Sequence, residues 1–345
     1  MQAMRQAPTD THYHSRRLVL LDGLRGLAAV GVVLFHADLG GLGLAFPRGY
    51  LLVDLFFLLS GFVLALALEQ RFAAGLGAGP FVRQRLRRFF PMVAAGTVLG
   101  FAAILGRDYP VLACVLSLVV SIAMIPLPMA TMFPLNPPQW SLMVELVANA
   151  VHARWLHRFS TAGLAALAAA CAIGLAAAFA WEGTGDLGSG ILQLPAGLLR
   201  AGWSYVVGIV LARVWKVRRP LPLADWRIAL AAPVLAVAVL PLAPVPTWLG
   251  DAFVILAVFP ALFWVAASAT PSQAGERPLA ALGSISFPLY AVHFPILNAA
   301  DQLGGAAGRL VGVAMAILIA AALAAAMSGR LGAVFNHRRR VAEGA

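Results

Sequence analysis

Residues 21–37 read LDGLRGLAAVGVVLFHA, a stretch apolar enough to cross a bilayer although it contains Asp22, Arg25 and His36. Runs of roughly 18 or more apolar residues recur from residue 18 to residue 327, the pattern of a chain that crosses a membrane several times. Backbone amides find no water partner in hydrocarbon, so these runs should be α-helices. The sequence therefore predicts an all-α polytopic membrane protein.

The composition agrees with a membrane environment. Hydrophobic residues make up 61% of the 345-residue chain and charged residues only 11%, whereas a typical soluble domain has about 25% charged residues. The formal net charge is +11, from 25 basic and 14 acidic residues. In a soluble protein this balance would suggest nucleic acid, but in a membrane protein its ordinary source is the positive-inside rule. We therefore expect the lipid bilayer, and no nucleic acid, as a partner.

The order of apolar and basic segments predicts the topology. Eleven apolar segments are predicted, at 18–37, 50–68, 89–105, 110–127, 139–153, 162–181, 191–215, 228–243, 250–269, 279–298 and 307–327. Placing the basic clusters in the cytoplasm gives a regular alternation of sides, except between Arg88 and Arg154. Three apolar segments lie there and only an even number can cross, so one of them should dip in or lie flat. The short segment 139–153 is the best candidate, with 110–127 as the alternative.

The predicted fold is thus about ten transmembrane helices plus one half-embedded segment, with both chain ends in the cytoplasm. Residues 1–17 are expected to be a polar cytoplasmic tail without the pattern of a cleavable signal peptide. Residues 18–327 would form the membrane domain, and residues 328–345 a basic cytoplasmic tail. A multi-pass protein of the cytoplasmic, or inner, membrane is expected.

The ionisable residues of the first segment share one face of a helix. Arg25 and His36 are eleven positions apart, close to three full turns, which separates them by about 16 Å along the axis. Asp22 lies three residues before Arg25 and can pair with it. Placing an unpaired arginine in the hydrocarbon core costs roughly several kcal/mol of free energy, so this face should line a polar cavity or contact polar partners. The alternative is an Arg–Asp pair and a histidine at the membrane interface.

Other segments also carry charges. Asp54 is embedded among aromatic and aliphatic residues, and an unpaired carboxylate there would be costly. A partner on the first helix, such as His36, is expected. Arg85 and Arg88 lie three positions apart at the cytoplasmic mouth of the third segment. They either anchor the helix against lipid phosphates or clamp the phosphates of a ligand, because guanidinium groups match phosphate oxygens in pairs. Arg200 could bind an anionic acceptor or pair with a carboxylate.

Five motifs occur in a fixed order along the chain. They are LDGLRGLAA with FHA at 21–37, VDLFFLLSGF at 53–62, RQRLRRFFP at 83–91, PPQWSLMVEL at 137–146 and GSISFPLYAVHFPI at 283–296. In this order and spacing the chain resembles the membrane acyltransferase-3 family. The resemblance extends over residues 18–327, and it is to the stand-alone form, without a fused C-terminal hydrolase-like domain.

The resemblance implies an acyl-CoA-dependent O-acyltransferase. Such an enzyme moves an acyl group, usually acetyl, from cytoplasmic acyl-CoA to a hydroxyl of a carbohydrate or a lipid-linked sugar. Arg25, Arg85 and Arg88 are expected to hold the phosphates of coenzyme A. His36 is expected to act as general base, and Asp54 or Glu145 to orient its ring.

Four further residues are expected to line a substrate tunnel: Trp140, Ser141, Tyr290 and His293. Trp140 could instead belong to an aromatic belt at the membrane surface, and His293 could be an interfacial histidine bonded to backbone. Ser286 and Tyr290 are potential polar partners of His293. No metal is expected. The alternative function is a polytopic transporter of a small polar or anionic solute, although no inverted repeat is detectable.

Overall fold

The structure, a computed structural model, describes the backbone of residues 10–343 except 43, 106, 108, 219 and 220, and the side chains of 19–328 apart from those same five. No strand occurs in these ranges, so the predicted all-α class is confirmed. The first six α-helices are α1 Asp10–Ala37, α2 Leu52–Ala73, α3 Ala78–Ile104, α4 Val111–Ile122, α5 Gln139–Arg154 and α6 Thr161–Glu182.

The second half of the chain is also helical. Its α-helices are α7 Leu194–Val217, α8 Trp226–Val239, α9 Thr247–Phe253, α10 Phe259–Ser268, α11 Gln273–Ala300 and α12 Gly305–Glu343. A π-helical turn, Val254–Val258, joins α9 to α10 into one rod. Short 3₁₀ turns are formed by Leu39–Leu42, Gly49–Leu51, Leu156–Arg158, Ile191–Gln193, Leu240–Leu242 and Asp301–Leu303.

Eight helical rods within the described ranges are long and apolar enough to cross a membrane, which makes this a multi-pass membrane protein. Two shorter apolar helices, Val111–Ile122 and Trp226–Leu242, lie where two further crossings are predicted. Ten crossings, and cytoplasmic chain ends, therefore stay predictions. At about 1.5 Å per residue, α4 is roughly 18 Å long and α5 roughly 24 Å, so neither reaches across a core of about 30 Å as a straight helix.

The predicted terminal tails fall only partly within the described residues. Helix α1 begins at Asp10 and α12 ends at Glu343, so both helices extend into the ranges 1–17 and 328–345. Residues 1–9 and 344–345 lie outside the described residues, as do the side chains of both tails beyond position 328 and before position 19.

The bundle is organised by a few close helix pairs. Helix α1 packs mainly along α11, α2 along α7, and α11 also along α3 and α12. Helices α2 and α7 come closest where Gly61 faces the backbone of Tyr205 and Gly208 faces the backbone of Leu58. A Cβ atom at either glycine would clash with a carbonyl oxygen of the other helix. Small residues permit such close crossings in membranes, where packing drives helix association.

Gly61→Ala is expected to destabilise the bundle, because the added methyl group meets the carbonyl of Tyr205 and forces α2 away from α7. Overpacking of this kind costs about 1–3 kcal/mol. The measurement is the unfolding temperature of the purified protein in detergent. Gly79→Ala in α3 is the matched control, since a Cβ there meets open space. Equal unfolding temperatures for the two variants would contradict the close crossing.

Candidate active site

A buried ion pair joins α7 to α2. Arg200 donates to Asp54 Oδ2 from Nη2 at 2.6 Å and from Nε at 3.0 Å, and Ser204 donates to Oδ1 at 3.2 Å. The same guanidinium donates to the carbonyl of Tyr50 at 2.9 Å and to that of Leu187 at 2.7 Å. Only 1% of the Arg200 side chain and none of the Asp54 side chain is exposed. Each charge is therefore fully compensated inside the bundle.

This pair settles two expectations. The prediction that His36 is the partner of Asp54 is wrong, because Arg200 and Ser204 occupy both carboxylate oxygens. For Arg200, the carboxylate-partner alternative is confirmed. The physical reason is that a guanidinium neutralises a carboxylate and also satisfies its lone pairs, whereas a neutral imidazole supplies no charge.

Glu145 is likewise engaged away from His36. Its Oε1 atom accepts from Ser60 Oγ at 2.7 Å and from Arg85 Nη2 at 3.0 Å. The guanidinium of Arg85 also stacks over the ring of Phe89, 5.0 Å from its centroid. Neither Asp54 nor Glu145 orients the imidazole, so that prediction is wrong for both. Glu145 instead holds Arg85 at the end of α3.

Three arginines from two helices meet at this end of the bundle. Arg88 lies near enough to Arg85 and Arg25 for the three charges to repel, while Glu145 and Asp22 partly offset them. The predicted pairing of Arg25 with Asp22 is confirmed, at 3.0 Å. Arg88 is exposed and makes no ion pair with any described side chain. This cluster of Arg25, Arg85 and Arg88 is called the arginine-rich mouth below. It presents positive charge that no described carboxylate fully compensates.

At the other end of α1, His36 meets a second histidine. His36 Nδ1 lies 3.2 Å from His293 Nε2 and 3.0 Å from the carbonyl of Val32. His293 Nδ1 lies 2.8 Å from the carbonyl of Tyr290. His293 is fully buried, and the ring of Phe294 contacts His36 edge-on. His293 is thus bonded to backbone, while its position at a membrane interface and its place in a tunnel stay predictions. Ser286 turns its hydroxyl to the carbonyl of Gly283.

The remaining residues of the predicted tunnel are buried and packed. Ser141 Oγ and Tyr290 OH are 2.6 Å apart, and both lie near the carbonyl of Pro138. Trp140 is buried with its ring 5.5 Å from the guanidinium of Arg200, so the aromatic-belt alternative is wrong. A cavity of about 550 Å³ lies elsewhere, between α3 and α4, beside Arg87. The tunnel stays a prediction.

One polar residue that the sequence interpretation missed satisfies a backbone carbonyl of α11. Pro295 has no N–H for the carbonyl of Ala291 four residues earlier, and Asn136 Nδ2 donates to that carbonyl at 2.8 Å instead. Gly96 lets α3 approach the same carbonyl closely. Pro295 is visible in the sequence as a residue that leaves a carbonyl free. The partner of that carbonyl, Asn136, lies 155 positions before Ala291 and could not be identified from the sequence.

These features define a multi-pass α-helical membrane protein with an arginine-rich mouth and, on the same bundle, a pair of histidines of which His293 is fully buried and His36 partly buried. The family model described as Acyltransferase domain matches residues 18–329. The chain therefore belongs to the acyltransferase-3 family, as its motifs predicted, and it is a membrane acyltransferase. This membership speaks against the transporter alternative.

A similar protein is known from Rhizobium radiobacter. The protein described as Protein 2 in picA locus is 36% identical over 173 residues, which is 44% of this chain and 86% of that protein. No solved structure matches the chain.

Removal of one member of the buried pair is expected to unfold the bundle. Asp54→Leu or Arg200→Leu leaves an uncompensated buried charge, which costs about 3–5 kcal/mol. Heating followed by size-exclusion chromatography in detergent measures the loss. The double variant should recover part of the stability lost by the single variants, because it buries no charge. Losses that simply add in the double variant would contradict the pair as the source of the effect.

Proposed function

We propose that the protein is an O-acyltransferase of the inner membrane. It moves an acyl group, acetyl in the simplest case, from cytoplasmic acyl-CoA to a hydroxyl of a carbohydrate or lipid-linked sugar. The observation that carries this proposal is the layout of α1. Arg25 lies at the arginine-rich mouth, and His36, on the same helix about 16 Å further along, lies against His293. Phosphate binding and proton transfer are thus assigned to opposite ends of one rigid element.

The donor site is assigned to the arginine-rich mouth. Coenzyme A is polyanionic, and guanidinium groups bind phosphate oxygens with paired, charge-assisted hydrogen bonds. Arg88 is exposed and without an ionic partner among the described residues, so it is available to a phosphate. Arg25 is 24% exposed and shares its charge with Asp22. Arg85 is held by Glu145 and contributes mainly through its charge and its support of the site.

The chemical step is assigned to His36. Its Nε2 atom takes the proton of the acceptor hydroxyl as the alcohol oxygen attacks the thioester carbonyl. Collapse of the tetrahedral intermediate forms the ester and breaks the C–S bond. The same proton then passes from His36 to the departing thiolate, which leaves as CoA. The extended pantetheine arm of acyl-CoA has the shape needed to carry the thioester from the mouth to this depth.

His36→Ala is expected to lower turnover about 10²- to 10⁴-fold, the usual contribution of a positioned general base. CoA release from acetyl-CoA, in the presence of envelope glycans from the native cells, measures turnover. Mass spectrometry of those glycans identifies the acyl group and its carrier. His157→Ala, in the 3₁₀ turn that follows α5, serves as the control histidine. A correctly folded His36→Ala protein with full turnover would exclude His36 as the base.

Arg88→Gln is expected to raise the KM for acetyl-CoA with a smaller effect on kcat, because it removes a phosphate contact made in both ground and transition states. Arg87→Gln is the matched control. It removes the same charge from the neighbouring position, but its side chain borders the cavity between α3 and α4. Equal KM values for the two variants would show that general positive charge, and not a site at Arg88, attracts the donor.

A further inference from the structure

The hydrogen bonds around the histidine pair determine which nitrogen carries each proton. His293 Nδ1 faces the carbonyl oxygens of Tyr290, at 2.8 Å, and Leu289, at 3.2 Å. Carbonyl oxygens only accept, so this nitrogen must carry the proton of the neutral ring. His293 Nε2 therefore bears a lone pair, and it points at His36.

The same reasoning fixes the ring of His36. Its Nδ1 atom faces two acceptors, the carbonyl of Val32 and the lone pair of His293 Nε2. His36 Nδ1 must therefore carry the proton, and its N–H group donates a hydrogen bond that is divided between these two acceptors. The lone pair of His36 is left on Nε2, which has no hydrogen-bond partner within the described part of the chain.

We propose that His293 is the positioning residue of the general base. It holds His36 in the tautomer whose Nε2 atom accepts a proton, and it accepts a hydrogen bond from Nδ1–H when His36 becomes an imidazolium. This inference rests on the proposed function of His36. It gives to an imidazole the role that the sequence interpretation had given to the carboxylates of Asp54 or Glu145.

A neutral partner suits this position in the bundle. A carboxylate buried beside His36 would need a compensating charge, as Asp54 needs Arg200, or its burial would be strongly unfavourable. Two neutral imidazoles cost far less and still align the ring. The pair becomes charged only while the proton of the acceptor resides on His36, and the bond from Nδ1–H to His293 then strengthens because its donor is charged.

The charged groups around the pair are already committed elsewhere. Asp38, two residues after His36, pairs with Arg309 of α12, which also lies 3.5 Å from Asp301. On α2 the carboxylate of Asp54 faces Arg200. Tyr50, whose ring Phe35 contacts, donates its hydroxyl to Asp251. Tyr290, on the helix of His293, turns its hydroxyl to Ser141. His293 is therefore the titratable side chain that bonds His36.

Three substitutions of His293 separate this role from simple packing. His293→Leu removes the acceptor, and kcat is expected to fall about 10- to 100-fold with little change in the KM for acetyl-CoA. His293→Gln can place a carbonyl oxygen near the former Nε2 atom and should retain more turnover than the leucine variant. His293→Glu adds a carboxylate that stabilises the imidazolium. Since only neutral His36 is active, the acidic limb of the pH–rate profile should move to higher pH.

Phe294→Leu is the matched control, because it alters the ring packed against His36 without touching its hydrogen bonds. The acidic limb should stay in place in this variant. If the glutamate variant also leaves the limb in place, or if glutamine and leucine reduce kcat equally at unchanged stability, His293 has only a structural role and the inference is wrong.

A spectroscopic test separates this inference from the proposed function. Nitrogen-15 NMR of histidine-labelled protein in bilayers, with signals assigned from His36→Ala and His293→Ala, reports which ring nitrogen is protonated. Protons on Nδ1 of both rings are expected, and a proton on His36 Nε2 in the neutral state would overturn the inference. If His36→Ala is fully active, the proposed function fails, whatever the NMR result. If that variant is inactive but the His293 series keeps the wild-type profile, only the inference fails.

Discussion

The ion pair between Arg200 and Asp54 is the interaction on which the arrangement of this bundle depends. Neither charge is tolerable alone in a region without water, so the two helices that carry them must meet. The guanidinium also binds the carbonyls of Tyr50 and Leu187, which precede α2 and α7. One side chain therefore fixes two helices and two connections. With α2 in place, Ser60 lies beside Glu145 of α5, and the carboxylate of Glu145 holds Arg85 of the mouth.

Charge is distributed unevenly along α1, so the two ends of this helix differ in the groups that they can bind. Arg25 lies at the end where the other arginines of the mouth gather. His36 lies at the other end against a fully buried histidine, and both rings can stay neutral there. Under the proposed function, the arginines at the first position attract the polyanionic donor, and the histidine pair at the second position offers it no charge. The same helix can thus separate the binding of a charged group from chemistry at a less polar depth.

Much of the local structure followed from residue spacing. The apolar runs predicted the helices, and the spacing of Arg25 and His36 placed both on one face of α1. The partners were harder to predict: Asp54 was assigned to the wrong helix, and Asn136 was missed. Sequence spacing is informative within one helix because every residue adds a fixed rotation and rise, but the relative position of two helices obeys no such rule.

The sequence by itself determined the membrane class, the helical segments and the family. These depend on hydropathy, helical period and ordered motifs, all of which are local properties. Only the tertiary structure decided which residues act together. It paired Asp54 with Arg200, Arg85 with Glu145, and His36 with His293, across separations of 60 to 257 positions. The physical reason is that a buried polar group must find a partner, and which partner it finds depends on how the helices pack.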